Sequence, residues 1–149
     1  MLKRLRDFFS GHLNVDQSDP EHRVQLASAA LLVEMQRADH RDLEHETEAL
    51  RQLLSEHFDL DAEETEGLIE LARDEVDAAV SLHEFTALLN SELSSGERNE
   101  VLELLWRTAY ADGELHKQEE GLMRKIADLL YIPHSDFIQI KLRVMDELS

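Results

Sequence analysis

Two stretches of this 149-residue chain share one pattern: residues 31–46 read LLVEMQRADHRDLEHE, and residues 104–119 read LLWRTAYADGELHKQE. In each, an apolar stretch with helical spacing is followed by Ala-Asp, a polar loop and a Glu seven positions after that Asp. Six apolar pairs are separated by the same distance along the chain as Asp39 and Asp112: Leu31/Leu104, Leu32/Leu105, Val33/Trp106, Leu50/Met123, Leu53/Ile126 and Phe58/Tyr131. We infer an internal duplication of a helix, acidic loop and helix unit.

Length and composition predict one compact all-α domain. A chain of 149 residues with 42% hydrophobic content is long enough for one well-buried core. Only five Gly and two Pro interrupt a composition rich in helix formers. Cap patterns such as Asp61-x-x-Glu64 and Ser94-x-x-Glu97 divide the chain further. We therefore predict a bundle of seven to eight helices with a pseudo-twofold repeat, formed by residues 19–149.

The first 18 residues have a different character and are predicted to form a basic amphipathic helix and a linker. Their apolar residues recur at helical spacing, with basic residues between them: Leu2, Leu5, Phe8 and Phe9 alternate with Lys3, Arg4 and Arg6. Two roles remain open for this segment. It can dock on its own acidic domain, or residues 1–12 can contact a membrane surface or a partner helix.

The charge of the chain restricts its partners. The formal net charge is −18, and residues 39–77 hold fifteen Asp or Glu residues against three Arg residues. Such a surface repels nucleic acid and anionic membranes, so we expect a protein partner and no nucleic acid. The sequence contains no Cys and no membrane-length apolar run, and its start lacks a secretory signal. These features favour a cytoplasmic protein.

The loop of the second copy has the residues of an oxygen-ligand cation site. Gly113 is expected to end the preceding helix, so that Asp112 at the turn and Glu119 in the next helix can face one small volume. Calcium and magnesium bind such converging carboxylates. A true EF-hand is rejected, because Thr108 and Tyr110 occupy the places of its first and third ligands. The competing interpretation is that both carboxylates cap the following helix.

The first copy departs from this pattern. His40 stands where the second copy has Gly113, and Arg41 can neutralise Asp39. The loop can be a salt-bridged remnant, or an imidazole from His40 or His45 can bind a transition metal such as zinc or nickel. The competing interpretation is that these His side chains are simply exposed to solvent. The cofactor prediction is therefore limited to a divalent cation: calcium, magnesium or a transition metal.

The motif Leu-Leu-Trp-Arg-Thr-Ala-Tyr-Ala-Asp-Gly-Glu-Leu at residues 104–115, with Glu119 and its weaker first copy, resembles the tellurite-resistance TerB family. The resemblance covers about residues 23–147. It implies an all-helical domain with pseudo-twofold repeats and a role of the tellurite-resistance or stress-response type. It also implies metal ligands at five acidic positions: Asp39, Glu46, Asp112, Glu114 and Glu119.

We therefore predict a non-enzymatic acidic module that binds a partner protein and a divalent cation. The sequence contains no recognisable combination of a nucleophile, a general base and a residue that orients the base, and it contains no Gly-rich phosphate-binding loop. Two alternatives are kept. One is a regulatory protein recruited to membranes by its N-terminal helix. The other is a carboxylate metalloenzyme, for which the paired Glu-x-x-His motifs of di-metal bundles are missing.

Overall fold

The computed structural model describes residues 19–39, 43–111 and 117–148, with only the backbone described at residues 39 and 43–47. Within these ranges the chain forms seven α-helices and no strand, which confirms the all-α prediction. The helices are α1 (Pro20–Asp39), α2 (Leu43–Phe58), α3 (Ala62–Ala78), α4 (His83–Glu92), α5 (Ser95–Ala109), α6 (Lys117–Leu129) and α7 (His134–Leu148). None of the seven is long and apolar enough to cross a membrane. The helix and linker predicted for residues 1–18 lie outside the described residues.

Two predicted capping boxes set the starts of α3 and α5. The Asp61 side chain accepts a hydrogen bond from the Glu64 N–H at 2.8 Å, and the Glu64 carboxylate accepts one from the Asp61 N–H at 3.0 Å. Ser94 and Glu97 form the same reciprocal pair before α5. Each box satisfies amides that a helix start leaves without an intrahelical partner. The boxes therefore fix where α3 and α5 begin.

Helix α1 is the centre of the core. From Gln25 to Gln36 every side chain except that of Glu34 is buried. This helix contacts α2, α3, α4, α5 and α6. Helix α5 is the second central element, with Leu105 and Trp106 completely buried. A helix that is apolar on nearly all sides is stable only when other helices surround it, so the composition of α1 fixes its central position.

The predicted duplication is visible in the helix contacts and includes a third helix in each copy. Helix α1 packs on α3 as α5 packs on α7, and α1 contacts α6 as α5 contacts α2. Helices α1 and α5 also contact each other. Exchanging the α1–α3 set for the α5–α7 set reproduces these contacts, which is the property of a pseudo-twofold arrangement. Helix α4 connects the two sets and packs against α1 and α6.

The second helix of each copy ends in the same way. After α2, Asp59 has a left-handed backbone with φ of 55°, and after α6, Tyr131 has φ of 57°. The next N–H, of Leu60 or Ile132, donates to the carbonyl five residues earlier at 3.0 Å in both cases. This is the hydrogen bond of a Schellman motif. Asp59 and Tyr131 are 72 residues apart in the sequence, whereas Asp39 and Asp112 are 73 residues apart.

This shortened spacing corrects one predicted equivalence. The pairing of Phe58 with Tyr131 is wrong, because Tyr131 is 76% exposed, whereas Leu130 is fully buried and holds the position equivalent to Phe58. The third helices keep the shortened spacing, since α3 starts at Ala62 and α7 at His134. The second copy is therefore one residue shorter between its acidic loop and the end of its second helix.

Candidate functional site

The five predicted metal ligands lie at the two helix–loop–helix junctions, and the side chain of one of them is described. Asp39 is the last residue of α1 and Glu46 lies in the first turn of α2, but their side chains lie outside the described residues. Asp112 and Glu114 belong to residues 112–116, between α5 and α6, which are also outside them. Glu119 is the third residue of α6. Only for Glu119 can the predicted site be built from side-chain geometry.

The Glu119 side chain is almost completely buried, with 2% exposure. Burying a carboxylate is costly unless the group is paired or hydrogen-bonded, and Glu119 does take part in an interaction within the protein. Its place in the first turn of α6 is favourable for a negative charge, because the unpaired amides and the dipole of a helix start attract anions. Glu119 is thus a buried acidic group seven positions after Asp112 in the sequence.

The neighbouring Glu120 has a different environment. Its carboxylate pairs with the Lys141 Nζ of α7 at 2.8 Å, and the hydrogen bond from Lys141 lowers the pKa of Glu120. The same ammonium group lies 5.6 Å from the centre of the Trp106 ring, which itself packs 5.3 Å from the Phe137 ring. Trp106 is fully buried and belongs to the core. Two adjacent carboxylates therefore have separate roles, one buried and one in a half-buried ion pair.

The described residues alone do not complete a metal site. Across residues 19–39, 43–111 and 117–148, no group of three or more His, Cys, Asp or Glu side chains is arranged so that it could hold a metal ion. Any cation bound by Glu119 would need further ligands from the loop segments 40–42 or 112–116, or from the side chains of residues 39 and 43–47.

A second candidate feature is the acidic surface of the α2–α3 hairpin. From Glu48 to Asp77 the chain has eleven acidic residues against two Arg residues. We call these carboxylates the acidic α2–α3 surface: Glu48, Glu56, Asp59, Asp61, Glu63, Glu64, Glu66, Glu70, Asp74, Glu75 and Asp77. Arg51 pairs with Glu48 and Glu66, and Arg37 of α1 pairs with Asp77 at 2.6 Å. The negative charge of this hairpin therefore greatly exceeds the positive charge of its own Arg side chains.

Glu75 marks the edge of this surface nearest to α4. Burial raises the pKa of Glu75, and the nearby carboxylates Glu84 and Asp74 raise it further. The crowding of like charges increases the free energy of the ionised form. A cation placed here would lower that free energy, so the acidic α2–α3 surface favours a positively charged partner.

A shallow cleft of about 220 Å³ lies between α5 and α7. It is lined by Gly96, Asn99, Glu100, Glu103, Asp136, Gln139, Ile140 and Arg143. Arg143 pairs with Glu103 across it, and the Asn99 amide donates to Asp136 at 3.3 Å. These contacts tie α5 to α7, and the cleft is explained as the seam between two packed helices.

Comparison with known proteins identifies the fold family. The family model described as "Tellurite resistance protein TerB" matches residues 25–142. This chain belongs to the TerB family. No curated protein and no solved structure matches it. The TerB match runs from the first turns of α1 to the second half of α7 and includes both acidic loops, so the resemblance noted in the sequence is confirmed.

The TerB frame places all five candidate ligands inside the matched region, at equivalent junctions of the two copies. Their part in metal binding stays a prediction. One property of the site was missed in the sequence, namely the burial of Glu119. A signal for it existed, because Glu119 lies one helical turn before Met123, which is fully buried.

Proposed function

We propose that this TerB-family protein is a non-enzymatic acidic module that binds a divalent cation at its acidic loops and a basic partner protein on the acidic α2–α3 surface. We place it in the cytoplasm, in a stress response of the tellurite-resistance type. The observation that carries the cation proposal is the 2% exposure of Glu119 at the start of α6. Its proposed co-ligands are Asp112 and Glu114, with Asp39 and Glu46 in the other copy.

The chemistry favours a cation for a simple reason. A cap or dipole contact at a helix start is available to an exposed carboxylate, so it does not require burial of the side chain. A buried carboxylate next to a Gly-containing acidic loop is instead the arrangement in which oxygen ligands replace the hydration shell of a hard cation. Glu119 fits the second description better than the first.

Calorimetry on the metal-free protein tests the site, with Ca²⁺, Mg²⁺, Mn²⁺, Zn²⁺ and Ni²⁺ titrated separately. We expect one of these ions to bind the native chain with micromolar affinity and not to bind the Asp112→Asn/Glu119→Gln double variant. The matched control is Glu120→Gln, which alters the adjacent carboxylate that pairs with Lys141, and it should bind like the native chain. Absence of binding at millimolar cation would refute the cation proposal.

The basic-partner proposal rests on the excess charge of the hairpin. Electrostatic complementarity raises association rates and selects partners of opposite charge. The few cations around the hairpin, Arg37 and Arg51 among them, are already engaged in ion pairs. A partner with a basic patch would relieve the repulsion among the remaining carboxylates.

Charge reversal tests the partner surface. Glu56→Lys with Glu70→Lys changes α2 and α3, while Glu100→Lys with Asp128→Lys makes the same charge change on α5 and α6. Proteins co-purifying with the tagged native chain are quantified by mass spectrometry against both variants. We expect a defined set of proteins to be lost with the first pair and kept with the second. Equal retention by both variants would contradict a role for the acidic α2–α3 surface.

A further inference from the structure

Helix α7 presents an apolar row beside the face that it packs into the core. Ile138, Leu142 and Met145 recur at spacings of four and three residues. Leu142 is 59% exposed, and Ile138 and Met145 are half-buried. We call these three residues the outer flank of α7. Leu142 is one of the four large hydrophobic side chains that are exposed among the described residues.

The core contacts of α7 do not account for this row as a whole. They are made mainly by Phe137, Ile140 and Val144, which are buried toward the interior, and Ile138 reaches only the edge of the core. Residues 137, 140 and 144 occupy one face of the helix, and residues 138, 142 and 145 follow an adjacent face about 100° away. The outer flank is therefore additional to what holds α7 in the bundle.

The other copy shows that the fold does not need an apolar flank here. When Asp59 is aligned with Tyr131, α3 is the equivalent of α7, and its residues matching Ile138, Leu142 and Met145 are Glu66, Glu70 and Arg73. Glu66 forms an ion pair with Arg51 of α2. The same position in the repeat is thus a polar surface in one copy and an apolar surface in the other. An apolar face that the repeat itself does not require is a candidate contact surface.

Charge decides between the possible occupants. A second copy of the chain would bring a body with net charge −18 against another of −18, and the Coulomb term opposes that association. The chain has one basic stretch of its own, because residues 1–9 carry Lys3, Arg4 and Arg6 against the single Asp7. Because this segment is positively charged and the rest of the molecule is negatively charged, the Coulomb term favours their contact, whereas it opposes dimerisation.

Pattern and reach agree with this choice. Leu2, Leu5 and Phe9 recur at spacings of three and four residues, which is the pattern that packs against the row on α7. Residues 10–18 separate this pattern from the start of the described domain. Nine extended residues span up to about 30 Å, which is about the diameter of a small domain. The tether therefore allows contact with the outer flank.

We propose that residues 1–9 dock as an amphipathic helix on the outer flank of α7, burying Leu5 and its apolar neighbours against Leu142 and Met145. The contact is intramolecular, and it shields the apolar residues of both partners from water. It also keeps the basic N-terminal segment away from membranes while it is docked.

Disulfide trapping in the full chain tests this proposal, and the absence of native Cys residues makes it clean. Leu5→Cys is combined with Leu142→Cys, which pairs the middle of the segment with the middle of the flank whichever way the helix runs. The matched control combines Leu5→Cys with Val80→Cys, because Val80 is an equally apolar residue that is 98% exposed elsewhere. Bridge formation under mild oxidation is followed by mass spectrometry and non-reducing electrophoresis.

We expect an intramolecular bridge in the first variant to form at least about tenfold faster than in the control, because docking raises the local thiol concentration above that of a free tether. Equal rates in the two variants would overturn the proposal. A bridge between two chains would overturn it in favour of a second copy. If adding vesicles of phosphatidylcholine and phosphatidylglycerol leaves the bridge rate unchanged, docking prevails over membrane binding, whereas full suppression of the bridge would assign the segment to the membrane.

A second measurement does not depend on oxidation. The chain has four Met residues, and methyl spectra of the full-length protein report on Met145 at the flank and on Met35 and Met123 in the core. Phe9→Asp should shift the Met145 methyl resonance and leave those of Met35 and Met123 in place. An unchanged Met145 resonance would contradict docking even if the protein remains fully folded.

Discussion

Replacing Tyr131 with Gly should stabilise this protein, although the change removes a large aromatic side chain. Tyr131 has a left-handed backbone, with φ of 57°, and it ends α6. A non-Gly residue in that conformation costs about 1–2 kcal/mol. Gly avoids this cost, but it also increases the conformational entropy of the unfolded chain, which destabilises the folded state by about 0.4–1 kcal/mol. Because Tyr131 is 76% exposed, little packing is lost. The net gain is about 0.5–1 kcal/mol.

Thermal and urea denaturation of Tyr131→Gly measure this gain, which corresponds to an increase in Tm of about 1–4 °C for a domain of this size. Asp59→Gly, at the equivalent turn of the first copy, should gain less, because Asp tolerates the left-handed region better than Tyr does. Lys125→Gly on the exposed side of α6 is the control and should lose about 0.7 kcal/mol, since Gly is a poor residue within a helix. A loss of stability in Tyr131→Gly would refute the reasoning and show that the ring makes contacts worth more than the backbone cost.

Three further perturbations follow from the fold. Ser94→Ala should cost about 1 kcal/mol in urea denaturation, because it removes the capping box that Ser94 forms with Glu97. Trp106→Ala should cost about 3–5 kcal/mol, measured in the same way, because it leaves a large cavity at a fully buried position. Glu75→Gln should stabilise the protein at neutral pH. Burial and the charge of Glu84 raise the pKa of Glu75, so the stability of the native chain falls as the pH rises through that raised pKa. Below the ordinary pKa of 4.5, Glu75 is protonated in both the folded and the unfolded chain, and the advantage of Gln should disappear. A pH series of denaturation curves measures this change.

The main elements of the fold could be predicted from the sequence because their signals are local or periodic. Helix α1 is apolar on nearly all sides, and this pattern has one structural solution, a central position. The capping boxes at Asp61 and Ser94 likewise depend on a spacing of three residues and on side-chain chemistry. Such features need no knowledge of the rest of the chain.

Other features depend on tertiary geometry. The missing residue in the second copy lies between two helical patterns, so the spacing of the acidic loops still gives plausible apolar pairs as far as Phe58/Tyr131. Only the left-handed turns at Asp59 and Tyr131 reveal the shift. For α7, apolar residues cover a wide arc, and periodicity cannot say which of Ile140 and Leu142 faces the core. The burial of Glu119 was signalled only by Met123 one turn later, and an acidic residue in a first helical turn also has the signature of a cap.

Within the candidate site, the sequence predicted where the carboxylates lie along the chain, at the two helix–loop–helix junctions. It could not predict which of the described carboxylates is buried. Glu119 is buried, while Glu120 beside it pairs with Lys141, and this difference arises from a rotation of about 100° around the helix. The direction of each carboxylate therefore decides its chemistry, and that direction is set by the packing of α6 against its neighbours.

The equivalent faces of α3 and α7 have diverged between the two copies of the repeat. One face favours electrostatic contacts, and the other favours apolar contacts. The α3 position is charged, at Glu66 and Glu70, whereas the α7 position is apolar, at Ile138 and Leu142. A basic segment attracted by charge alone would settle on the α3 side and compete there with a basic partner. An apolar flank gives the segment a different place, held by contacts that salt does not screen. Bridge formation between Leu5→Cys and Leu142→Cys should therefore persist at about 1 M salt, where the Debye length is about 3 Å, while binding of a basic partner weakens. Loss of both at the same salt concentration would mean that charge alone holds the segment.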